Sequence, residues 1–164
     1  MTIKQFLIVL CLCAPQLAQA TAPAPANSDD HRATAHLSAE QARRMAAAAE
    51  QAALAKGHAI VVSIVDNHGN LKHFHRMDGT SSGSVQVAQL KASTSARFPA
   101  SSRSLGERSA ALPANPYASL PGFLLLEGGL PIMDAKGAHI GGIGISGATP
   151  ELDAQFAQAA LDAS

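Results

Sequence analysis

Tryptophan is absent from this 164-residue chain, and tyrosine occurs once. A platform for stacking nucleobases therefore has almost nothing to be built from. Charge gives no help to a polyanionic partner either, because 12 Lys and Arg balance 12 Asp and Glu. Without a net positive field, neither nucleic acid nor an anionic membrane surface finds an electrostatic footprint. Cysteine is confined to Cys11 and Cys13, both inside the opening twenty residues.

That opening segment has the composition of a secretory signal. Lys4 supplies the positive end, Phe6–Ala14 the apolar core, and Ala18-Gln19-Ala20 the small-x-small site of signal peptidase. The apolar run falls well short of the ~18 residues needed to span lipid. The expectation is removal of residues 1–20, leaving a periplasmic or secreted protein that begins near Thr21 and has no transmembrane anchor. Such a protein has no cysteine, which excludes disulfides, thiolate catalysis and cysteine metal sites. Residues 21–36 alternate Pro with small and polar side chains and read as a flexible tether. Residues 37–164 are of a length for one domain with its own core.

What the chain has in quantity is Ala, Gly and Ser. Ser38 and Gln41 form a capping-box start, and Ala42, Met45, Ala46, Ala49 and Ala53 recur at helical spacing up to Gly57. Ile60–Val65 and Leu71–Met77 read as two strands around an Asn67–Asn70 turn. Val85–Phe98 has helical spacing and is stopped by Pro99. The Ser/Pro/Ala-rich stretch from Ala100 to Pro121 has little periodicity and room for one short helix. Phe123–Leu126, Leu130–Asp134 and Ala138–Ser146 read as three strands of an antiparallel meander. Thr149 then caps a last helix, with Pro150 at its first position and Glu151 and Asp153 in its positively polarised first turn. The resulting order, α-β-β-α-β-β-β-α, belongs to the α+β class.

Several polar groups are placed to carry chemistry. Asp66, His68, Arg76 and Asp78 fall around the ends of the first hairpin, beside Gly69 and Gly79. One reading gives them turn and ion-pair duties; the other makes Arg76 a bidentate clamp for a ligand carboxylate. His73 and His75 are two apart on a strand, so both rings leave one face and are positioned for a metal ion or a flat ligand, or else simply for solvent. His31, His36, His58 and His139 are further candidates. Lys91 is either a snorkelling surface residue or a partner for Asp66 and Asp78 and a potential base. Gly128, Gly129, Gly141, Gly142, Gly144 and Gly147 lack the strand–turn–helix context of a nucleotide loop, which leaves bulges and close packing. Gly147 has the alternative of exposing backbone N–H groups to an anion at the following helix start.

The run Val61–Thr80, with its Asp66-x-x-Gly69 turn and Arg76-Met77-Asp78-Gly79, and the run GGLPIMDAKGAHIGGIGISGATPELD from Gly128 to Asp153 resemble the haem-degrading/GlcG-like family. The likeness extends from Leu37 to Leu161, and the family has a K-A-x-T-A run like that at Lys91. It implies a GlcG-like, profilin-like fold around a five-stranded antiparallel sheet, binding or architectural roles for Asp66, Gly69, Arg76, Asp78 and Gly79, and a homo-oligomer. It also implies haem as the cofactor. For haem, the chain offers His73, His75 or His36 as iron ligand, Met77, Phe123 and Leu124 as an apolar slot, and Arg76 or Lys91 for propionates. The leading expectation is thus an exported small-ligand-binding protein that binds or buffers haem. An enzyme acting on a small carboxylated metabolite and a cofactor-free sensor-accessory or assembly module are the competing readings.

Overall fold

A computed structural model describes residues 36–164; the expected signal segment, the tether before His36 and His31 lie outside the described residues. Four α-helices and four strands follow in the order α1 (Ala39–Ala55), β1 (Val61–Asp66), β2 (Leu71–Arg76), α2 (Ser82–Arg97), α3 (Ser102–Ala110), β3 (Gly129–Met133), β4 (His139–Ser146) and α4 (Pro150–Asp162). A 3-10 turn at Pro116–Ser119 lies between α3 and β3. The fold is α+β, as the pattern of elements requires.

The caps form where the sequence places them. Ser38 accepts the backbone N–H of Gln41 at 3.1 Å, and Thr149 accepts that of Leu152 at 3.4 Å. All five small or apolar residues of the α1 stripe, Ala42, Met45, Ala46, Ala49 and Ala53, are buried.

The sheet is antiparallel, in the order β2-β1-β4-β3, with Val61 opposite Arg76 and Ile64 opposite Ile143. Strand alternation sorts the layers. Val62, Ile64, Ile143 and Ile145 join α1 and α4, including Phe156, in the main core. The other face turns Gly142 and Gly144 towards α2, where any Cβ would run into the carbonyls of Ala92 and Ala88. Glycine at these two positions brings α2 against the sheet at backbone distance.

The expected strand at Phe123–Leu126 does not form, so the sheet has four strands instead of five. Side chains take its backbone groups. Thr94 Oγ1 accepts the N–H of Leu124 at 2.9 Å, while Ser102 Oγ donates to the carbonyl of Leu126 at 2.7 Å and accepts the N–H of Gly129 at 3.0 Å. A segment whose donors and acceptors are satisfied this way does not need a strand neighbour.

Candidate functional site

A groove of about 560 Å³ opens between the C-terminal half of α1, the approach to β1 and the end of β2. Glu50, Leu54, His58, His75, Met77 and Asp78 are among its walls. The parity of β2 places His73 and His75 opposite Ile64 and Val62, on the sheet face that carries α1. Glu50 meets His75 there, with Oε1 2.7 Å from Nδ1. An ionised carboxylate only accepts, so Nδ1 carries the proton of this hydrogen bond, and in the neutral ring Nε2 is then the nitrogen with the lone pair. The His75 side chain is 52% exposed against 24% for Glu50, so the ring is oriented from inside and open to the groove.

The rest of the groove is mixed in character. Leu54 stands 62% exposed at its edge. Met77 Sδ accepts the backbone N–H of Ile60 at 3.4 Å, and the His58 ring rests on Phe156 at 6.1 Å between centroids. His73 is half-buried, and its pKa is lowered, chiefly by burial and further by His75 and Arg43, with Glu50 opposing. It therefore favours the neutral form that metal ligation requires.

Other residues singled out in the sequence are dispersed. Asp66 and Arg76 sit at opposite ends of the β1–β2 pair and do not form one cluster. At the closed end, Asp66 Oδ1 accepts the N–H groups of His68 and Asn70, each at 2.9 Å. Burial tends to raise the Asp66 pKa, but these bonds and the Asn70 side chain outweigh it and the net shift is downward. At the far end, Arg76 Nε donates to Thr80 Oγ1 at 3.0 Å and Nη2 donates to the Thr80 carbonyl at 2.7 Å. Those hydrogen bonds tie the Met77–Thr80 turn rather than reaching Asp66 or Asp78, and Asp78 stays exposed. Phe123 and Leu124 are not part of a slot with Met77: both line a separate cleft near α3, and Phe123 packs on Phe98 at 5.6 Å between ring centroids. His139 Nε2 lies 3.0 Å from the Ser95 carbonyl, and His36 is exposed just before α1.

Lys91 corrects its sequence reading most. It is fully buried, not snorkelling, and its partner is neither Asp66 nor Asp78. Nζ donates to Asp153 Oδ2 at 2.8 Å and to the Ile145 carbonyl at 2.9 Å. Burial dominates both groups, pulling the Lys91 pKa down and pushing that of Asp153 up, against their mutual attraction. Asp153 Oδ1 also accepts the Ala148 N–H at 3.0 Å, so the start of α4 is capped from within. Gly147, with φ +153°, packs where a Cβ would strike the Ala59 carbonyl.

Two partners that matter, Glu50 and Asp153, carried no functional reading in the sequence. Glu50 had one usable signal, as the acid that follows Ala46 by four residues beside the buried stripe of α1. Asp153 had none, since an acid in a first helical turn is ordinary. Among the described residues, no three His, Cys, Asp or Glu side chains come together as a metal site, and no helix is long and apolar enough to cross a membrane.

Comparison with known proteins places this geometry in a family. An uncharacterized 15.0 kDa protein from the dhaT-dhaS intergenic region of Citrobacter freundii is 33% identical over 144 residues, covering 83% of this chain and 96% of the relative. The crystal structure of a double mutant of Streptomyces reticuli HbpS superposes with a TM-score of 0.74 at 37% identity, covering 87% of this chain and 97% of that one. A structure of PduOC in complex with haem gives 0.70 at 30% identity, with 79% and 95% covered. Residues 37–162 match the family described as haem degrading protein HbpS-like, and the chain belongs to that family.

Proposed function

We propose that this protein binds haem in the groove between α1 and β2, where His75 Nε2 would be the nitrogen that holds the iron. The observation that carries the proposal is the 2.7 Å contact between Glu50 and His75 Nδ1. A carboxylate on the far nitrogen fixes the tautomer, aims the ring and raises its basicity, as the outer partners of metal-bound histidines do. The residues fit the group in other respects too. Leu54 and Met77 offer apolar surface, His58 brings a second imidazole to the groove, and Arg76 lies at its rim with Nη1 outside the Thr80 contact. The volume of about 560 Å³ lies within the ordinary range of ligand clefts, ~300–1,000 Å³. Bound haem would supply an iron centre for electron or oxygen chemistry. The chain itself supplies orientation through Glu50 and a partly apolar wall. Haem-bound PduOC, at 30% identity, is a relative whose ligand supports the same choice.

The Ala18-Gln19-Ala20 site supports export to the periplasm or beyond as part of this reading, with haem binding or buffering there as the role. Intact-mass measurement on protein from the native host tests it: loss of residues 1–20 is expected, and retention of Met1 contradicts export by cleavage. Self-association also belongs to the proposal. Leu112, Leu120 and Leu126 stand 44%, 38% and 43% exposed around the segment after α3, a supply of apolar surface for another copy. Sedimentation as a monomer at every concentration would contradict it.

Haem titration of the purified protein tests the main claim. A saturable Soret change at one haem per chain is expected, and a linear response without saturation would overturn it.

A further inference from the structure

The chain contains a single Asp-Gly bond, Asp78–Gly79, in the turn that leads from β2 to α2. The backbone nitrogen after an aspartate can reach the side-chain carboxyl carbon by closing a five-membered ring. Three restraints ordinarily keep it away: a side chain on the next residue, hydrogen bonds on the carboxylate, and a hydrogen bond on the attacking N–H. None of the three operates at Asp78. Glycine follows it, with φ +86°, and nothing lies within 4 Å of where a Cβ would stand, so the peptide between them turns at little steric cost. The Asp78 carboxylate is exposed, and among the described residues it has no hydrogen-bond or salt-bridge partner, nor has the Gly79 N–H an acceptor. The other described aspartates are held. Asp66 Oδ1 accepts the N–H groups of His68 and Asn70, Asp134 Oδ1 those of Lys136 and Ala138, Asp153 is buried against Lys91, and Asp162 accepts from Gln158. None of them precedes glycine.

We infer that Asp78 is a site of spontaneous conversion to isoaspartate. The Gly79 nitrogen bonds to Asp78 Cγ, and the amide proton leaves with the carboxyl hydroxyl as one water, giving a succinimide. Water then reopens the ring. Attack at Cγ restores aspartate, whereas attack at the main-chain carbonyl carbon leaves the backbone running through Cβ and Cγ, which is isoaspartate. The water lost is regained, so no oxidant, reductant or cofactor takes part. The product lengthens the main chain by one methylene inside a closed turn. Thr80 Oγ1 donates to the Met77 carbonyl at 2.9 Å, and Arg76 donates to Thr80 Oγ1 at 3.0 Å and to the Thr80 carbonyl at 2.7 Å. A longer path from Met77 to Thr80 pulls these partners apart and releases the Arg76 guanidinium. The site does not depend on the haem reading.

The test is peptide mapping of the purified, folded chain stored for weeks near neutral pH at physiological temperature. Trypsin cuts after Arg76 and Lys91, so residues 77–91 leave as one peptide. That peptide should separate into two forms of equal mass, with a transient third form lighter by one water. Only the new equal-mass form should accept a methyl group from protein isoaspartate methyltransferase. Peptides that carry Asp66, Asp134 and Asp153 should stay single. Asp78→Glu, which would need a six-membered ring, should lose the second form. Asp78→Asn should gain it faster, because ammonia leaves the same intermediate more readily. In the isoaspartyl fraction, the Arg76 Nε–H should lose its protection from solvent exchange by NMR. A single 77–91 peptide throughout storage, equal conversion at Asp66 or Asp134, or a second form persisting in Asp78→Glu would overturn the assignment. Unchanged protection of Arg76 Nε–H would overturn the release of its guanidinium.

Discussion

Among the described residues, two ion pairs join helix to sheet or to helix, and their lengths are almost the same: 2.7 Å for Glu50–His75 and 2.8 Å for Lys91–Asp153. Their settings are opposite. The first is 24% and 52% exposed, whereas the second is 3% and 1% exposed at the acid and base respectively. Distance therefore says little about role, and burial decides it. A wet pair contributes little to stability, which leaves its geometry available to serve a ligand. A dry pair is held by the fold and becomes a liability when either member is removed.

The largest effect should come from breaking the dry pair. Lys91→Met strands a buried carboxylate and is expected to cost about 3–5 kcal/mol in urea unfolding. The double variant Lys91→Met with Asp153→Leu should recover most of that loss, because apolar pairs often replace buried ions at little cost. A double variant as unstable as the single one would mean that the pair is not the source. Next comes the seam beneath Lys91. Gly144→Ala drives a methyl at the Ala88 carbonyl and should cost about 1–3 kcal/mol through overpacking. A neutral result would show that α2 shifts freely away from the sheet.

The wet pair should respond differently. Glu50→Gln is expected to leave unfolding within about 0.5 kcal/mol of wild type while weakening haem about tenfold. A large stability loss there would erase the contrast between the two pairs. The smallest effect belongs to the hairpin turn. Asp66→Asn should cost less than about 1 kcal/mol near neutral pH. Because the folded pKa of Asp66 is depressed, its contribution is complete above the ordinary value of 3.8 and disappears as pH falls through the folded value. The wild-type advantage over Asp66→Asn should therefore narrow in acid, as followed by unfolding at a series of pH values.

Local signals carried most of the architecture. Ser38 and Thr149 announced their helices because a cap is a contact over three residues, and Gly69 announced the hairpin because its φ of +86° favours glycine. The parity of β2 put His73 and His75 on one face. What could not be read was distant. Lys91 finds Asp153 across 62 positions, and His75 finds Glu50 across 25. The Phe123–Leu126 segment has the composition of a strand, yet Thr94, 30 positions before Leu124, and Ser102, 24 positions before Leu126, consume its backbone groups. One hint was present for Lys91, which follows Ala88 by three and precedes Ser95 by four, on the stripe that α2 buries.

The central claim is that His75, held by Glu50, is the iron ligand of a haem bound between α1 and β2. Haem titration of His75→Ala beside wild type and His73→Ala, with each fold checked by circular dichroism, tests it most directly. His75→Ala alone should lose the wild-type Soret spectrum while remaining folded. An unchanged spectrum and affinity in that variant would contradict it.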